Sequence, residues 1–304
     1  MRRSLLLGLI LLLTALAFAQ TGKRTELPDA PSASSTPSAP SPQAADLPTK
    51  ETVDSFMKHM FGYDSSIQWQ VLSIRPSPAP HMAEVLVGVK NPEGQQVMRL
   101  FVTADRNWAI AGDMMRFGAD PFAFNNKEFD ARAHGPSRGP KDSPITVIEF
   151  SDLQCPACKA AQPTIDRLVT EVPNVHFIFQ HYPLESLHPW AFKAAEYGDC
   201  VARDNPDAFW KFIALDYQNQ ESVTAENADA KLKDFVAQAG ANPDRVTACV
   251  AQPATATRIR ESLALGEAVQ VTGTPTLFVN GRAVQNVSGV PFEVLKLLAQ
   301  GTEK

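Results

Sequence analysis

Two cysteines separated by two residues stand where a short apolar run changes into a helical pattern. The run is PITVIEF, residues 144–150, and Cys155 and Cys158 open the helical pattern CPACKAAQPTIDRLVTEV, residues 155–172. A second apolar run, NVHFIFQHYPL, covers residues 174–184. Two strands joined by a helix favour a parallel βαβ unit, because parallel strands need a crossover of about a dozen residues or more. The cysteine pair therefore lies at a strand-to-helix junction of an α/β fold.

This pair could bind zinc, form a structural disulfide or carry out redox chemistry. Structural zinc needs about four ligands, usually from a second Cys-x-x-Cys or a nearby Cys/His pair. The remaining cysteines, Cys200 and Cys249, are far apart in the sequence, so no metal site is predicted. A structural bridge between positions 155 and 158 would close a very small ring, which restrains the unfolded chain less than a long loop does. Redox chemistry is the favoured interpretation.

The strand-to-helix junction explains why such a cysteine pair can take part in thiol–disulfide exchange. Backbone N–H groups without partners and the helix dipole favour negative charge in the first helical turn. They stabilise the Cys155 thiolate and lower the pKa of this thiol, and a thiolate is both the nucleophile and the better leaving group. Pro156 suits the first turn because proline lacks a backbone N–H, and the N–H of another residue there would have no partner within the helix. Cys158, one turn later, is expected to be more buried and to act as the resolving thiol.

Two further sequence features belong to the candidate site. Glu149 lies on the first strand between apolar neighbours, so we expect a partly buried carboxyl with a raised pKa that exchanges a proton with Cys158. An ordinary charged residue at a strand end is the alternative. Thr274-Pro275 enters the apolar run TPTLFV, and an X-Pro step there is typical of a cis bond. A cis-proline loop beside the thiols would leave a backbone edge free for an extended substrate.

The amino terminus predicts export. Arg2 and Arg3 precede an apolar run that ends at the small-x-small site Ala17-Phe18-Ala19, the pattern of a signal peptide over 1–19. An uncleaved membrane anchor is the alternative. Residues 20–50 are rich in Pro, Ser and Ala and should form a disordered linker. The net charge of −5 comes with no basic cluster, so nucleic acid is not an expected partner.

An exported chain meets an oxidising compartment in which disulfides persist. Cys200 and Cys249 both lie in helical patterns among small apolar residues, and we expect them to form a structural disulfide. The bridge would close a loop of about 50 residues, and loops of that size give about 4 kcal/mol of stabilisation in chain-entropy bookkeeping. Two separate buried thiols are the alternative.

The chain divides into several segments. Residues 51–118 predict a small α+β domain, with one helix and three short runs, IQWQVLSI, MAEVLVGV and QVMRLFVT, the last two joined by a turn at 91–94. Residues 119–143 have the composition of a connector. From 144 to 304 the pattern is α/β, with a long helical insertion at about 187–270. An Asn-Gly turn then joins two strands, and a helix closes the chain.

Four stretches together carry a family resemblance. VIEFSDLQCPAC, FIFQHYPL, LHPWAFKAAEYGDCVARDNPDAFWKF and VTGTPTLFVNG resemble the thioredoxin superfamily, and most closely its DsbA-like thiol:disulfide oxidoreductases with a helical insertion. The resemblance covers about 140–302. It implies an exposed nucleophile at Cys155, a cis-proline at Pro275, a substrate-facing Thr274 and a buried acid at Glu149. Ala157 stands where the best-known oxidases carry His, which removes one donor to the thiolate.

The resemblance implies an exported, periplasmic or otherwise extracytoplasmic enzyme that introduces disulfides into secreted proteins through Cys155 and Cys158, without a cofactor. Its partners would be reduced or misfolded secreted proteins and a membrane protein that recycles the cysteine pair. A disulfide isomerase or reductase kept reduced by a membrane donor is the first alternative, and a non-catalytic peptide-binding chaperone module is the second. Residues 51–118 could form a homodimer, as in DsbC-like isomerases. His176, His181 and His188 are expected to be structural.

Overall fold

The computed structural model describes residues 47–300, apart from residues 93, 115 and 285. The predicted signal peptide, 1–19, and most of the predicted linker, 20–50, lie outside the described residues. No helix in the described part of the chain combines the length and the apolar character needed to cross a membrane.

The first part of the fold is one helix on a small antiparallel sheet. Its elements are α1 (Lys50–Phe61), β1 (Gln68–Pro76), β2 (Met82–Asn91), β3 (Gly94–Thr103) and β4 (Ala109–Ala111), and the strands lie in the order β1-β2-β3-β4. Helix α1 begins at Lys50 because the Thr49 hydroxyl accepts the Thr52 N–H at 3.3 Å, a common way to cap a helix start. The predicted helix, the three strands and the turn at 91–94 are present, and β4 is an additional short strand.

Strand β2 is buried on both faces. Val85 and Val87 point toward α1 and pack with Val53 and Met57. Residues on the opposite face, such as Glu84 and Leu86, are buried as well. A two-layer unit standing alone would leave that second face in water and give an alternating strand. The continuous apolar run of β2 therefore matches a sheet that is covered on both sides.

The second part contains the predicted βαβ unit. Its elements before the insertion are α2 (Ala123–Arg132), β5 (Ser137–Arg138), β6 (Ile145–Ser151), α3 (Pro156–Glu171) and β7 (Val175–His181). After the insertion come β8 (Thr276–Val279), β9 (Arg282–Val284) and α9 (Phe292–Gln300). The strand order is β5-β7-β6-β8-β9. Strand β6 runs parallel to β7 and antiparallel to β8.

The turn between β8 and β9 has the predicted Asn-Gly geometry. Asn280 has φ 48° and Gly281 has φ 80°, and two positive φ values are what a two-residue hairpin with the right strand twist requires. The strand that follows ends at Val284 and is shorter than the predicted run RAVQNVSGV.

Residues 119–143, predicted as a connector, contain α2 and β5. Phe129 of α2 is buried against the sheet, with its ring centroid 4.9 Å from that of Phe278. The Pro and Gly residues around α2 suggest only turns, whereas tertiary packing of Phe129 stabilises this short helix.

Five helices form the insertion between β7 and β8. They are α4 (Ala191–Asp204), α5 (Pro206–Asn219), α6 (Ala228–Ala239), α7 (Pro243–Val250) and α8 (Pro253–Ala268). Their apolar faces join the buried cluster that also contains α3 and β7. The predicted α/β architecture, with a helical insertion after a small α+β unit, is present.

Cys200 of α4 and Cys249 of α7 are joined by a disulfide, with their Cα atoms 5.8 Å apart. Cys200 is buried and Cys249 is partly buried, and the Thr255 hydroxyl lies 3.6 and 3.7 Å from the two sulfurs. The bond therefore ties the first helix of the insertion to the fourth.

We expect the double variant C200A/C249A to unfold at a lower temperature than the parent protein. The sequence separation of 49 residues corresponds to about 4 kcal/mol of lost stabilisation, or a fall in melting temperature of about 10 °C for a chain of this size. Calorimetry of both proteins under oxidising conditions measures the difference. Parent protein treated with strong reductant is the control, and an unchanged melting temperature in the variant would contradict a structural role.

Candidate active site

Cys155 is the residue at which α3 begins. Its backbone is extended, with φ −75° and ψ 120°, and its side chain makes no capping bond to the helix. Pro156 occupies the first helical position, as predicted. The Cys155 thiol donates to the carbonyl oxygen of Thr274 at 3.5 Å. The thiol thus lies between the start of a helix and the loop that leads into β8.

The exposed fraction of Cys155 is only 6%, which differs from the exposed nucleophile that the resemblance implies. The cause is the close approach of the 272–276 loop, whose Thr274 carbonyl contacts the sulfur. Cys155 nevertheless borders a cavity of about 650 Å³ that Pro156, Ala157 and Pro275 also line. Access to the sulfur is through this cavity.

Cys158 lies one helical turn further and is fully buried. Its sulfur accepts the backbone N–H of Asp152 at 3.4 Å. Burial raises the pKa of the Cys158 thiol well above its ordinary range. The hydrogen bond from Cys158 lowers the pKa of Cys155 to about 6, although burial opposes this shift. The two thiols are both free, and their environments separate a low-pKa sulfur from a high-pKa sulfur.

The peptide bond between Thr274 and Pro275 is cis. Thr274, Pro275 and Cys155 line the same cavity. The structure thus brings Cys155 together with the two residues for which the sequence predicts contact with substrate.

Glu149 is fully buried on β6. One carboxylate oxygen accepts the Gln162 side-chain N–H at 2.9 Å, and the other has no hydrogen-bond partner among the described residues. Burial raises the pKa of this carboxyl to about 7, and the neighbouring Ser151 and Gln162 oppose that shift. An ordinary strand-end carboxylate would be solvated, whereas Glu149 is enclosed by the fold.

Alternation along β6 places a second polar residue on the face that carries Glu149. Ser151 follows Glu149 by two residues, and on α3 Gln162 follows Cys158 by four, so each pair shares a face. The Ser151 hydroxyl lies 2.8 Å from the Tyr217 hydroxyl of α5. Burial raises the pKa of Cys158, and Ser151 opposes that shift, so this hydroxyl lies near the buried sulfur. Ser151 and Tyr217 therefore form a buried polar layer next to Glu149 and Cys158.

Asp216, next to Tyr217 on α5, is also completely buried. Neither of its carboxylate oxygens has a hydrogen-bond partner within the described ranges, and burial raises the pKa of this carboxyl well above its ordinary value. Ser151, Asp216 and Tyr217 are not among the site residues predicted from the sequence. The available signal was DY at positions 216–217, inside the otherwise apolar stretch FWKFIALDY.

His188 and Asp152 form a second pair beside the thiols. The His188 Nδ1 atom lies 2.7 Å from a carboxylate oxygen of Asp152, which is buried and also accepts the Leu184 N–H at 2.8 Å. Burial acts to lower the pKa of His188, but the hydrogen bond and charge of Asp152, with a contribution from Cys155, raise it overall. His188 lines the Cys155 cavity, so a histidine borders the site although residue 157 is Ala.

The other two histidines do not reach the cavity that Cys155 lines. His181 is buried against Phe179 and Phe209, and burial lowers its pKa to about 4. One group of candidate metal ligands occurs in the described part of the chain, Asp199 with Cys200 and Cys249. The two sulfurs of this group are bonded to each other and so are not free thiolates for a metal.

Known proteins are similar to about half of this chain. A family model described as thioredoxin matches residues 132–292. The Na(+)/H(+) antiporter NhaA 1 of Salinispora arenicola is 35% identical over 145 residues, which is 48% of this chain and 21% of that protein. The antiporter NhaA of Herminiimonas arsenicoxydans is 28% identical over 149 residues, 49% of this chain and 22% of that protein. The chain thus spans about a fifth of the length of these relatives.

Solved structures are similar at low identity. BdbD from Bacillus subtilis has a TM-score of 0.49 at 23% identity and covers 55% of this chain and 94% of its own. A periplasmic thioredoxin-like protein from Salmonella enterica serovar Typhimurium has a TM-score of 0.49 at 22% identity, with 59% and 95% covered.

The family match extends over more than half of the chain. It includes β6, the Cys155–Cys158 turn, the whole helical insertion and the cis-proline loop. The predicted membership of the thioredoxin superfamily is confirmed by that match. The chain therefore belongs to the thioredoxin family, with the helical insertion that its resemblance to DsbA-like members implies.

Proposed function

We propose that this protein is an exported thiol:disulfide oxidoreductase that introduces disulfides into secreted proteins through Cys155 and Cys158. The observation that carries the proposal is the pair of unequal thiols at the start of α3. Cys155, with its lowered pKa, borders an open cavity beside the cis Thr274–Pro275 bond, and Cys158 is buried behind it. Perturbed pKa values of this kind are typical of functional sites.

The reaction exchanges two electrons between two sulfur pairs. A substrate thiolate attacks the Cys155 sulfur of the oxidised pair, a substrate–Cys155 bond forms, and Cys158 leaves as a thiolate that takes up a proton. A second substrate thiolate then attacks the substrate sulfur of this mixed disulfide, and Cys155 leaves as a thiolate. The substrate gains a disulfide and the enzyme becomes a dithiol. A membrane electron acceptor would remove the two electrons and reoxidise the pair.

The lowered pKa of Cys155 supports the oxidising direction. A stable Cys155 thiolate is a good leaving group, and stabilising the reduced form makes the disulfide form a stronger oxidant. Despite burial, Asp152 raises the pKa of His188, which borders the same cavity and favours the thiolate in its protonated form, whereas Ala157 supplies no such group. Isomerase or reductase activity is the alternative within the class, and non-catalytic peptide binding is the alternative outside it.

The buried polar layer supports a proton route at Cys158. The Cys158 thiolate formed in the first step lies in a low-dielectric site and must be protonated. Glu149, whose pKa is raised to about 7, holds a proton near neutral pH. Ser151 acts on the pKa of both this carboxyl and the Cys158 thiol, so its hydroxyl is the group we expect to relay the proton. We assign Glu149 as the proton donor and acceptor for Cys158, and Thr274 and Pro275 as substrate-binding residues.

Export and its partners belong to the same proposal. The sequence of residues 1–19 supports a signal peptide, and a stable Cys200–Cys249 bond suits an oxidising compartment such as the periplasm. Reduced or misfolded secreted proteins would be the substrates, and a membrane redox protein would recycle the pair. Homodimerisation through residues 51–118 remains a prediction that sedimentation of the full chain tests.

Alkylation against pH should reveal one early-titrating thiol, at Cys155. We expect the rate of iodoacetamide labelling of the reduced protein to rise with a midpoint near pH 6, because the neighbouring Cys158 stabilises the thiolate. The variant C158S keeps a donor at that position and should still label at Cys155, whereas C155S should label slowly up to high pH. Faster labelling of Cys158 than of Cys155, mapped by mass spectrometry, would reverse the assigned roles.

Two refolding assays separate the oxidase from its alternatives. We expect the oxidised protein to restore activity to reduced, unfolded ribonuclease faster than the reduced protein restores activity to scrambled ribonuclease. C155S should lose both activities, because it removes the sulfur that exchanges. A dominant activity on scrambled substrate would establish the isomerase, and unchanged refolding assistance by C155S would establish a binding module instead.

Replacing Glu149 by Gln should stabilise the protein at alkaline pH. The pKa of Glu149 is 4.5 in the unfolded chain and about 7 in the fold, so ionisation costs stability progressively as pH rises from 4.5 and the cost levels off above 7. A shift of this size corresponds to about 3 kcal/mol. Denaturant titrations should therefore show E149Q more stable than the parent at pH 8 and nearly equal at pH 4.5. The matched control is E221Q, at an exposed glutamate, and an equally large alkaline gain in E221Q would contradict the assignment.

A further inference from the structure

The cavity at Cys155 is not built by the thioredoxin part alone. Residues Gly94 to Val97, at the start of β3 in the small sheet, line it together with Cys155 and the cis-proline loop. The added N-terminal unit therefore supplies one wall of the space through which a substrate reaches the sulfur.

This wall includes a strand edge without a neighbour. Strand β4 pairs with β3 only at residues 100–102, and among the described residues no strand pairs with that side of β3 over 94–98. The Arg99 carbonyl accepts the Gly112 N–H on the β4 side. Because N–H and C=O groups alternate in direction along a strand, those of Gln95 and Val97 point to the same side. Two residues thus present main-chain donors and acceptors along an open edge.

A buried ion cluster holds the small sheet in this position. Glu84 of β2, 1% exposed, lies 2.5 Å from Arg75 and 3.2 Å from Arg99. Arg99 also donates to the carbonyl of Gln270, just after α8, and Arg75 lies 3.7 Å from Glu267 in the last turn of α8. Cations are favourable at a helix C-terminus. The sheet is therefore fixed to the segment that leads directly into the cis-proline loop.

The small sheet also contacts the second part of the fold where β2 approaches Leu187. A Cβ atom added at Gly88 would lie 3.7 Å from the Leu187 side chain, so β2 passes close to the segment after β7. Gly88 is paired with Val97, which places this contact beside the open edge.

The side chains of the cavity point to recognition of backbone groups. None of the residues that line it within the described ranges is Asp, Glu, Lys or Arg, and the polar ones are mainly Gln, Thr and Asn, such as Gln95, Gln96 and Thr272. Apart from Cys155 and His188, the described lining carries no ionisable side chain, so it offers few ionic contacts that would select particular substrate side chains. Main-chain hydrogen bonds to a strand edge give affinity for extended peptides of varied sequence.

We propose that the open edge of β3 at residues 94–98 binds an extended segment of unfolded polypeptide by β-strand pairing, and so presents a cysteine of that segment to Cys155. The proposal rests on the proposed thiol exchange and specifies its substrate class. Gln95 and Val97 are binding residues that act through their backbone groups.

The rate of thiol–disulfide exchange in a proline variant tests whether the open edge of β3 binds the peptide. V97P removes the N–H that faces the cavity and leaves the bonds to β2, and proline is tolerated on strand edges. We expect a fivefold to tenfold fall in the rate with a ten-residue cysteine peptide, the size of one lost main-chain hydrogen bond, and an unchanged rate with glutathione. V97A, which keeps the N–H, is the matched control. An equal fall in V97A would overturn the backbone contact, and so would an unchanged peptide rate in V97P.

Amide exchange tests the same edge without altering it, should V97P fail to fold. The C158S protein is joined at Cys155 to the peptide activated as its thionitrobenzoate disulfide, and residue-resolved hydrogen exchange is compared with glutathione-joined protein. We expect fivefold or greater protection at Gln95 and Val97 and none at Gln96, whose N–H faces β2. Equal exchange in both adducts would overturn the proposal. Failure of the unmodified protein to exchange with either thiol would instead overturn the proposed function, and the chemically formed adduct would still report on the edge.

Discussion

The start of α3 at a cysteine is the constraint on which the rest of the site depends. A helix begins most stably with a side chain that accepts backbone N–H groups, and Cys155 makes no such bond. The first turn therefore keeps its positive end available to a charged sulfur. The other parts of the site are arranged around Cys155 at this helix start. Strand β6 brings the chain to it, the Thr274 carbonyl closes over the sulfur, and Cys158 donates from the next turn while remaining sealed from water.

The position of the small sheet depends on a buried carboxylate and the two arginines around it. A carboxylate as buried as Glu84 is costly unless charged and hydrogen-bonding groups surround it. Arg75 and Arg99 provide that environment and also reach the end of α8. Removing Glu84 would leave two cations facing each other, so the cluster favours one relative placement of sheet and helix. The N-terminal unit is in this way part of the architecture of the thiol site.

The sequence predicts those parts of the molecule that depend on local pattern. The junction at Cys155, the buried Glu149, the X-Pro step at 274–275 and the Asn-Gly hairpin all have signatures in neighbouring residues. Contacts between distant segments have none. His188 reaches Asp152 across 36 positions, and Tyr217 reaches Ser151 across 66, so neither could be assigned to the site beforehand. The apolar run of β2 did contain a signal, since it lacks the alternation of a half-solvated strand, but it does not say what covers the second face.

The Cys200–Cys249 bond makes maturation of the protein dependent on an oxidation step. Every newly synthesised chain carries these two sulfurs as thiols, and two electrons must leave them before α4 and α7 are joined. The protein is thus itself a substrate of disulfide formation, and an oxidant must act on each new copy. On the proposed oxidase function, that oxidant includes earlier molecules of the same protein. The supply of oxidised protein would then depend on the oxidising capacity that earlier copies maintain.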